Sequence, residues 1–170
     1  VGSGEQPLYI GVVGAGEAGV REAKLAEEVG RLLGSAGAVL LCGGMTGVME
    51  FACKGAHEAG GTTVGILPGA TRDQANPYVS VALPTALGEI RNALIVRASD
   101  AVIAISGEYG TLSEIALALK TGVPVVGIET WDLARGRRAV EGFEQASSPA
   151  EAVEQALERA RARVGKSAPR

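Results

Sequence analysis

The densest run of chemically useful residues is Ser106-Gly107-Glu108-Tyr109-Gly110-Thr111-Leu112-Ser113-Glu114, directly after the apolar run Ala101 to Ile105. Gly107 and Gly110 let a chain leaving a strand turn sharply into a helix. The first N–H groups of such a helix have no intrahelical partner and bind phosphate well. Thr111 and Glu114, three residues apart, also read as a capping box. That pairing accounts for both residues but leaves the two glycines before them unexplained, which favours a ligand. Upstream, a helical stretch from Leu87 to Ser99 carries Arg91, Asn92 and Arg97. At about 100° per residue the two arginines stand about 120° apart, so both cannot face one ligand. Taken alone, that stretch reads as a solvated charged helix.

Two further glycine-rich turns follow apolar runs. Gly43-Gly44-Met45-Thr46-Gly47-Val48-Met49-Glu50 brings backbone N–H groups close to whatever lies beyond the second strand, with a helix starting at once. It lacks the GxxxxGK[ST] of a Walker loop and reads as an anion nest or a tight turn. Gly14-Ala15-Gly16-Glu17-Ala18-Gly19 is a formal GxGxxG. A dinucleotide site also needs an acid after the second strand to hold the ribose, and Leu41-Cys42-Gly43-Gly44 has none. A tight turn near some other ligand is the expectation. Cys53 and His57 lie four apart with no further ligand cluster, so no metal is expected. None of Lys24, Lys54, Lys120 and Lys166 sits in a recognisable Schiff-base setting, so no pyridoxal chemistry is expected either.

The elements that must position these residues alternate. Strands are expected at Leu8–Gly14, Ala38–Cys42, Thr62–Leu67, Val79–Leu83, Ala101–Ile105, Val123–Ile128 and Phe143–Ala146. Helices are expected at Val20–Leu33, Thr46–Ala59, Leu87–Ser99, Thr111–Thr121 and from Pro149 to about Val164. Pro68–Tyr78 is a long polar loop of the kind that carries function, and Trp131–Gly142 is basic and irregular. This order implies an α/β, Rossmann-like, doubly wound and mainly parallel sheet with helices on both faces. In such sheets ligands bind beyond the carboxyl ends of the strands, where the three glycine-rich turns fall.

Composition agrees. A chain of 170 residues fits one domain, with 1–7 and 165–170 expected to be flexible tails. Hydrophobic residues make up 46%, aromatic residues only 4%, and glycine takes 25 places, which suits small-residue helices packed closely on a buried parallel sheet. The net charge of −3 gives no footprint for nucleic acid. The basic run of Arg159, Arg161, Arg163, Lys166 and Arg170 suits a helix C-terminus. Cys42 and Cys53 are too few for a disulfide framework and form no CxxC. No apolar run reaches ~18 residues and no signal-peptide pattern opens the chain, so a cytoplasmic protein with no membrane partner is expected.

Taken together these sites resemble the LOG family of Rossmann-like proteins, once described as possible lysine decarboxylases. Its characterised members are cytokinin-activating phosphoribohydrolases, which split nucleoside 5′-monophosphates into base and ribose 5-phosphate. The family motif PGGxGTxxE is similar here at Gly107, Gly110, Thr111 and Glu114, and its catalytic arginine falls on Arg91. A second family arginine and an aspartate fall on Arg97 and Asp100, and the GGxxGLM segment matches Gly43, Gly44, Gly47 and Met49. The departures are Ser106 and Glu108 in place of Pro and Gly, Asn92 for a lysine, and Glu50 for a glycine. The segments Gly47–Glu50, Pro68–Pro77 and Ile90–Val96 look more like the branch containing molybdenum-cofactor carrier proteins, which bind a phosphorylated pterin.

The resemblance implies a small phosphorylated ligand, either a nucleoside monophosphate or a pterin phosphate, bound without metal or organic cofactor. It implies Arg91 and Glu114 as catalytic residues if the reaction is N-glycosidic hydrolysis. Gly14, Gly16, Gly43, Gly44, Thr46, Gly47, Gly107, Gly110 and Thr111 are then the ligand-binding positions. A non-catalytic carrier keeps the same cradle and dispenses with Glu114 as catalyst. The resemblance also implies a homodimer or larger homo-oligomer with its sites at the interface.

Overall fold

A computed structural model of the chain describes residues 6–167; the expectations for 1–5 and 168–170 lie outside the described residues. Apolar runs form β1 (Tyr9–Gly14), β2 (Val39–Cys42), β3 (Thr62–Leu67), β4 (Val81–Pro84), β5 (Ala101–Ile105), β6 (Val125–Ile128) and a short β9 (Phe143–Gln145). They pair in the order β4-β3-β2-β1-β5-β6-β9, every pairing parallel. The helices are α1 (Val20–Ser35), α2 (Val48–Glu58), α3 (Asn92–Ala98), α4 (Tyr109–Lys120) and α5 (Pro149–Ser167). From β1 the chain winds outward through β2, β3 and β4. It then returns to β5 on the other side of β1, so the winding reverses between β1 and β5. That reversal opens the crevice where α/β sheets bind ligands.

The strand period of two divides the core. Ile10, Val12, Leu40, Cys42, Ile103 and Ile105 point to the face covered by α1, α2 and α5. Val13, Val102 and Ala104 point to the face covered by α3 and α4. Because both faces are covered, β2 and β5 are buried at every residue, as their unbroken apolar runs require.

Three expected boundaries are corrected. The stretch Leu87–Ser99 is not one helix: Gly88, at φ 56°, lies outside the right-handed region, so the chain makes a 3₁₀ turn over Gly88–Arg91 before α3 begins. The helical wheel that separated Arg91 from Arg97 therefore does not apply at Arg91. α4 starts two residues early, with Glu108 at its N-cap, so Thr111 and Glu114 lie inside the helix and form no capping box. α5 stays helical through Ser167, past the Val164 end and into the stretch expected as a tail. Ser148 does cap α5, its Oγ accepting the Glu151 N–H (3.2 Å). The Glu151 carboxylate accepts from the Ser147 hydroxyl at 2.5 Å and from the Ser147 N–H at 2.8 Å, which together lower its pKa. Within the stretch expected to be irregular, β7 (Ala134–Arg135) and β8 (Arg138–Ala139) pair as a small antiparallel hairpin.

The α1–α2 contact decides how closely this layer packs. A Cβ on Gly30 would stand 1.9 Å from the Ala52 carbonyl oxygen, and one on Gly55 the same 1.9 Å from that of Glu27. Neither glycine serves a turn; each removes a side chain so that two backbones can touch. Exposed helical Gly→Ala changes normally gain up to about 1 kcal/mol from propensity. Gly30→Ala is expected instead to lower the unfolding free energy by about 2 kcal/mol in a urea titration, because the clash is with backbone. A gain in stability would show that the two helices can separate freely.

Candidate functional site

At the crevice between the carboxyl ends of β1 and β5 lies a cavity of about 530 Å³. Gly14, Gly16 and Glu17 form one wall, and Gly43 and Met49 form the floor. Arg91, Asn92, Glu108, Gly110, Thr111 and Glu114 close the other side. Its size lies within the range of small-molecule sites.

Arg91 ends the 3₁₀ turn and turns its side chain inward, leaving the residue 6% exposed. Its Nε is buried without a hydrogen-bond partner, and no carboxylate forms an ion pair with it among the described residues. Burial lowers its pKa from the usual value, while the nearby Glu114 and Cys42 raise it. A guanidinium still stays charged at neutral pH. Its terminal nitrogens rest on the bare Cα of Gly43, where a Cβ would lie 2.2 Å from Nη1 and 2.6 Å from the Met49 sulfur. Glu114, in the second turn of α4, is 7% exposed. Burial pushes its carboxyl up to about 7, with the Arg91 charge pulling the other way. The pair is one buried cation beside one carboxyl poised to titrate at neutral pH.

The turns that carry this pair are interlocked. Gly47 (φ 71°) lies so close to the first turn that a Cβ would stand 2.4 Å from the Ala15 carbonyl oxygen. Thr46 Oγ1 donates to the Gly16 carbonyl at 2.9 Å, and the Val48 N–H donates to that of Ala15 at 3.0 Å. Gly44 (φ 70°) packs against Gly65, and the polar loop latches the second turn through Asn76. The Asn76 N–H donates to the Gly44 carbonyl at 2.8 Å, and its side-chain amide to that of Met45 at 2.9 Å. Gly107 (φ 98°) lies over buried Thr111. Trp131 braces the third turn from behind, its Nε1 donating to the Glu108 carbonyl at 3.3 Å and its ring packing on Tyr109.

The structure thus divides the residues singled out in the sequence. Gly14, Gly16, Gly43, Gly110, Thr111, Arg91 and Glu114 line the cavity. Gly44, Thr46, Gly47 and Gly107 hold the turns together behind it. Arg97 is exposed, and Asp100 accepts the Tyr9 N–H at 2.9 Å at the opposite end of β1. Sequence reasoning had assigned no role at the cavity to Glu17, Met49 or the backbone of Val12 and Val13. Glu17 could have been suspected from its place inside the first glycine turn, and Met49 from its match to the GGxxGLM segment.

Fold and cavity together define a Rossmann-like α/β protein of LOG type. Residues 7–159 match the SLOG cluster4 family, and the chain belongs to it. The molybdenum cofactor binding protein of Rippkaea orientalis is 39% identical, with a TM-score of 0.84 over 91% of this chain and 98% of that one. The molybdenum cofactor carrier protein of Chlamydomonas reinhardtii is 33% identical, with a TM-score of 0.83 over 92% and 99%. An uncharacterised protein of Archaeoglobus fulgidus is 42% identical over 82% of this chain and 91% of its own length. The cytokinin riboside 5′-monophosphate phosphoribohydrolase LOG5 of Arabidopsis thaliana is 38% identical over a shorter stretch, 43% of this chain and 33% of that protein.

Glu114 makes folding pH-dependent in a definite direction. Its carboxyl ionises near 4.5 when unperturbed and near 7 in the fold. Between those values the folded protein holds a proton that the unfolded chain has released. Stability from this group is therefore complete below about pH 4.5 and lost as pH rises through about 7. Compared with Glu114→Gln, the wild type should lose roughly 3 kcal/mol of unfolding free energy between pH 4.5 and 8. Parallel pH profiles for the two proteins would rule out a titrating Glu114.

Proposed function

We propose that the cavity binds a nucleoside 5′-monophosphate and hydrolyses its N-glycosidic bond, releasing free base and ribose 5-phosphate. The observation that carries this reading is Arg91: a buried guanidinium with an unpartnered Nε, facing the same cavity as Glu114. An uncompensated buried cation is costly, and a phosphate monoester supplies both the missing charge and oxygen acceptors in fork geometry. The α4 N-terminus, with no side-chain cap, adds the free N–H groups near Gly110 and Thr111. Gly16 and Gly110 keep the walls bare, so the ligand meets backbone there.

Departure of the base develops positive charge at the ribose. An ionised Glu114 stabilises that charge or takes a proton from the attacking water. With its carboxyl near 7, roughly half the molecules carry the required anion at neutral pH. Arg91 holds the phosphate or polarises the leaving base.

A second reading is a carrier of a phosphorylated pterin with no chemistry at Glu114. It is favoured by the near-complete overlap with the two molybdenum-cofactor proteins, against a partial alignment with the hydrolase.

The protein is also proposed to work as a homodimer. Val81 and Leu83 on the edge strand β4 are exposed, as are Leu87, Ile90 and Leu94 just beyond it, with Ile90 75% exposed beside Arg91. An apolar patch on an unpaired edge is a natural seat for a second copy. Ile90→Asp is expected to convert a dimer to monomer in light scattering; an unchanged mass would place any interface elsewhere.

Incubation with a panel of nucleoside monophosphates, read by chromatography of the free base, tests the main reading. Glu114→Gln should keep binding but lose about 10²–10⁴-fold in turnover. Arg91→Ala should abolish binding, Arg91→Lys should weaken it less, and Gly43→Ala should weaken it by displacing the guanidinium. No released base, together with a co-purified pterin phosphate identified by mass, would replace the hydrolase with the carrier.

A further inference from the structure

Beneath the floor of the cavity lie two thiols that neither reading uses. Cys42 ends β2 and Cys53 lies in the second turn of α2; both are fully buried, and their sulfurs are 3.4 Å apart. Buried cysteines usually act as small hydrophobes, and both lie in the apolar core, but Cys42 also meets a backbone donor. The Gly44 N–H donates to Cys42 Sγ at 3.2 Å. The pKa of the Cys42 thiol is lowered chiefly by its hydrogen bond with Cys53, then by the Gly44 N–H and the Arg91 charge, against burial and the Glu114 carboxyl. The hydrogen bond with Cys42, followed by burial, pushes the Cys53 thiol up, so it stays protonated. One sulfur is prepared as a nucleophile and the other as its resolving partner, at contact distance.

We propose that Cys42 and Cys53 form a dithiol site for small hydroperoxides, closing to a disulfide that shifts the Gly43-Gly44 turn. The Cys42 thiolate attacks one peroxide oxygen. The O–O bond breaks, hydroxide leaves, and Cys42 becomes a sulfenic acid. Cys53 sulfur then attacks the Cys42 sulfur; the S–O bond breaks, and the departing hydroxide takes the Cys53 proton to form water. In sum, two thiols and one hydrogen peroxide give one disulfide and two waters. A disulfide is about 2.05 Å long, so the sulfurs must approach by about 1.4 Å. That movement pulls on the residue preceding Gly43, against which Arg91 rests. Because both thiols are buried, peroxide enters when the Gly43-Gly44 turn opens locally.

The test uses the folded chain and hydrogen peroxide alone, so it is independent of the ligand and of hydrolysis. Wild type should lose both thiols together and two hydrogens in intact mass, recover both with dithiothreitol, and give no dimedone adduct. Cys53→Ser should accumulate a dimedone adduct on Cys42, and Cys42→Ser should react at least about tenfold more slowly. In oxidised wild type the Gly44 amide should exchange with solvent about tenfold faster, having lost its sulfur acceptor. The proposal fails if both thiols of wild type survive peroxide, or if bonds form only between chains. It also fails if the two single variants label equally, or if Gly44 exchange is unchanged by oxidation. The wild-type thiol count and amide exchange decide it even if neither variant folds.

Discussion

Everything around the cavity answers to one constraint, which is that a guanidinium has been placed inside the protein with its Nε unbonded and only a half-ionised carboxyl near its charge. Arg91 can lie there only because Gly43 has no side chain. It is brought there by a 3₁₀ turn that begins at a left-handed glycine. Its charge lowers the pKa of the neighbouring carboxyl, while burial raises it by more, and the outcome is a group balanced near neutrality. Remove any one of these and the others lose their reason. A bulkier floor would move the cation, and a regular helix would aim it elsewhere.

The sheet makes that arrangement possible. Parallel strands end together, so three strand-to-helix turns distant in sequence meet at one edge. The reversal of winding between β1 and β5 leaves room between the turns that flank it. Glycine then does two separate jobs. Gly16 and Gly110 leave the cavity wall bare, and Gly14 and Gly43 make room for Val48 and Arg91, whereas Gly44, Gly47 and Gly107 adopt left-handed backbone at close approaches. The second group fixes the shape that the first group exposes.

Membership of the SLOG cluster4 family accounts for the framework. Glu108 and Glu17 bring two carboxylates to the cavity beside Arg91 and Glu114. The proposed anion binding therefore rests on the buried guanidinium and the α4 N-terminus more than on overall positive potential. Among the described residues no helix is long and apolar enough to cross a membrane.

The order of elements was legible in the sequence because a parallel sheet buried on both faces demands unbroken apolar runs, and those runs stand out between glycine punctuation. Val39–Cys42 and Ala101–Ile105 are read correctly for that reason, as is the gathering of glycine turns at one sheet edge. Local rules could not rank equal matches. Thr111…Glu114 and Ser148…Glu151 both satisfy the capping-box pattern, yet only in the second does the hydroxyl cap a helix. The first is overridden because Glu108 already starts α4, and Thr111 and Glu114 are buried. Likewise, Arg91 and Arg97 are the same residue type on one apparent helix, and their wheel positions assumed a regularity that Gly88 breaks. Sequence by itself determined the alternation, the parallel sheet and the residues near its carboxyl edge. Only the tertiary structure decided which arginine is buried, which carboxyl shares its cavity and which glycines face the ligand space. Burial and field depend on neighbours tens of residues away, which no local pattern contains.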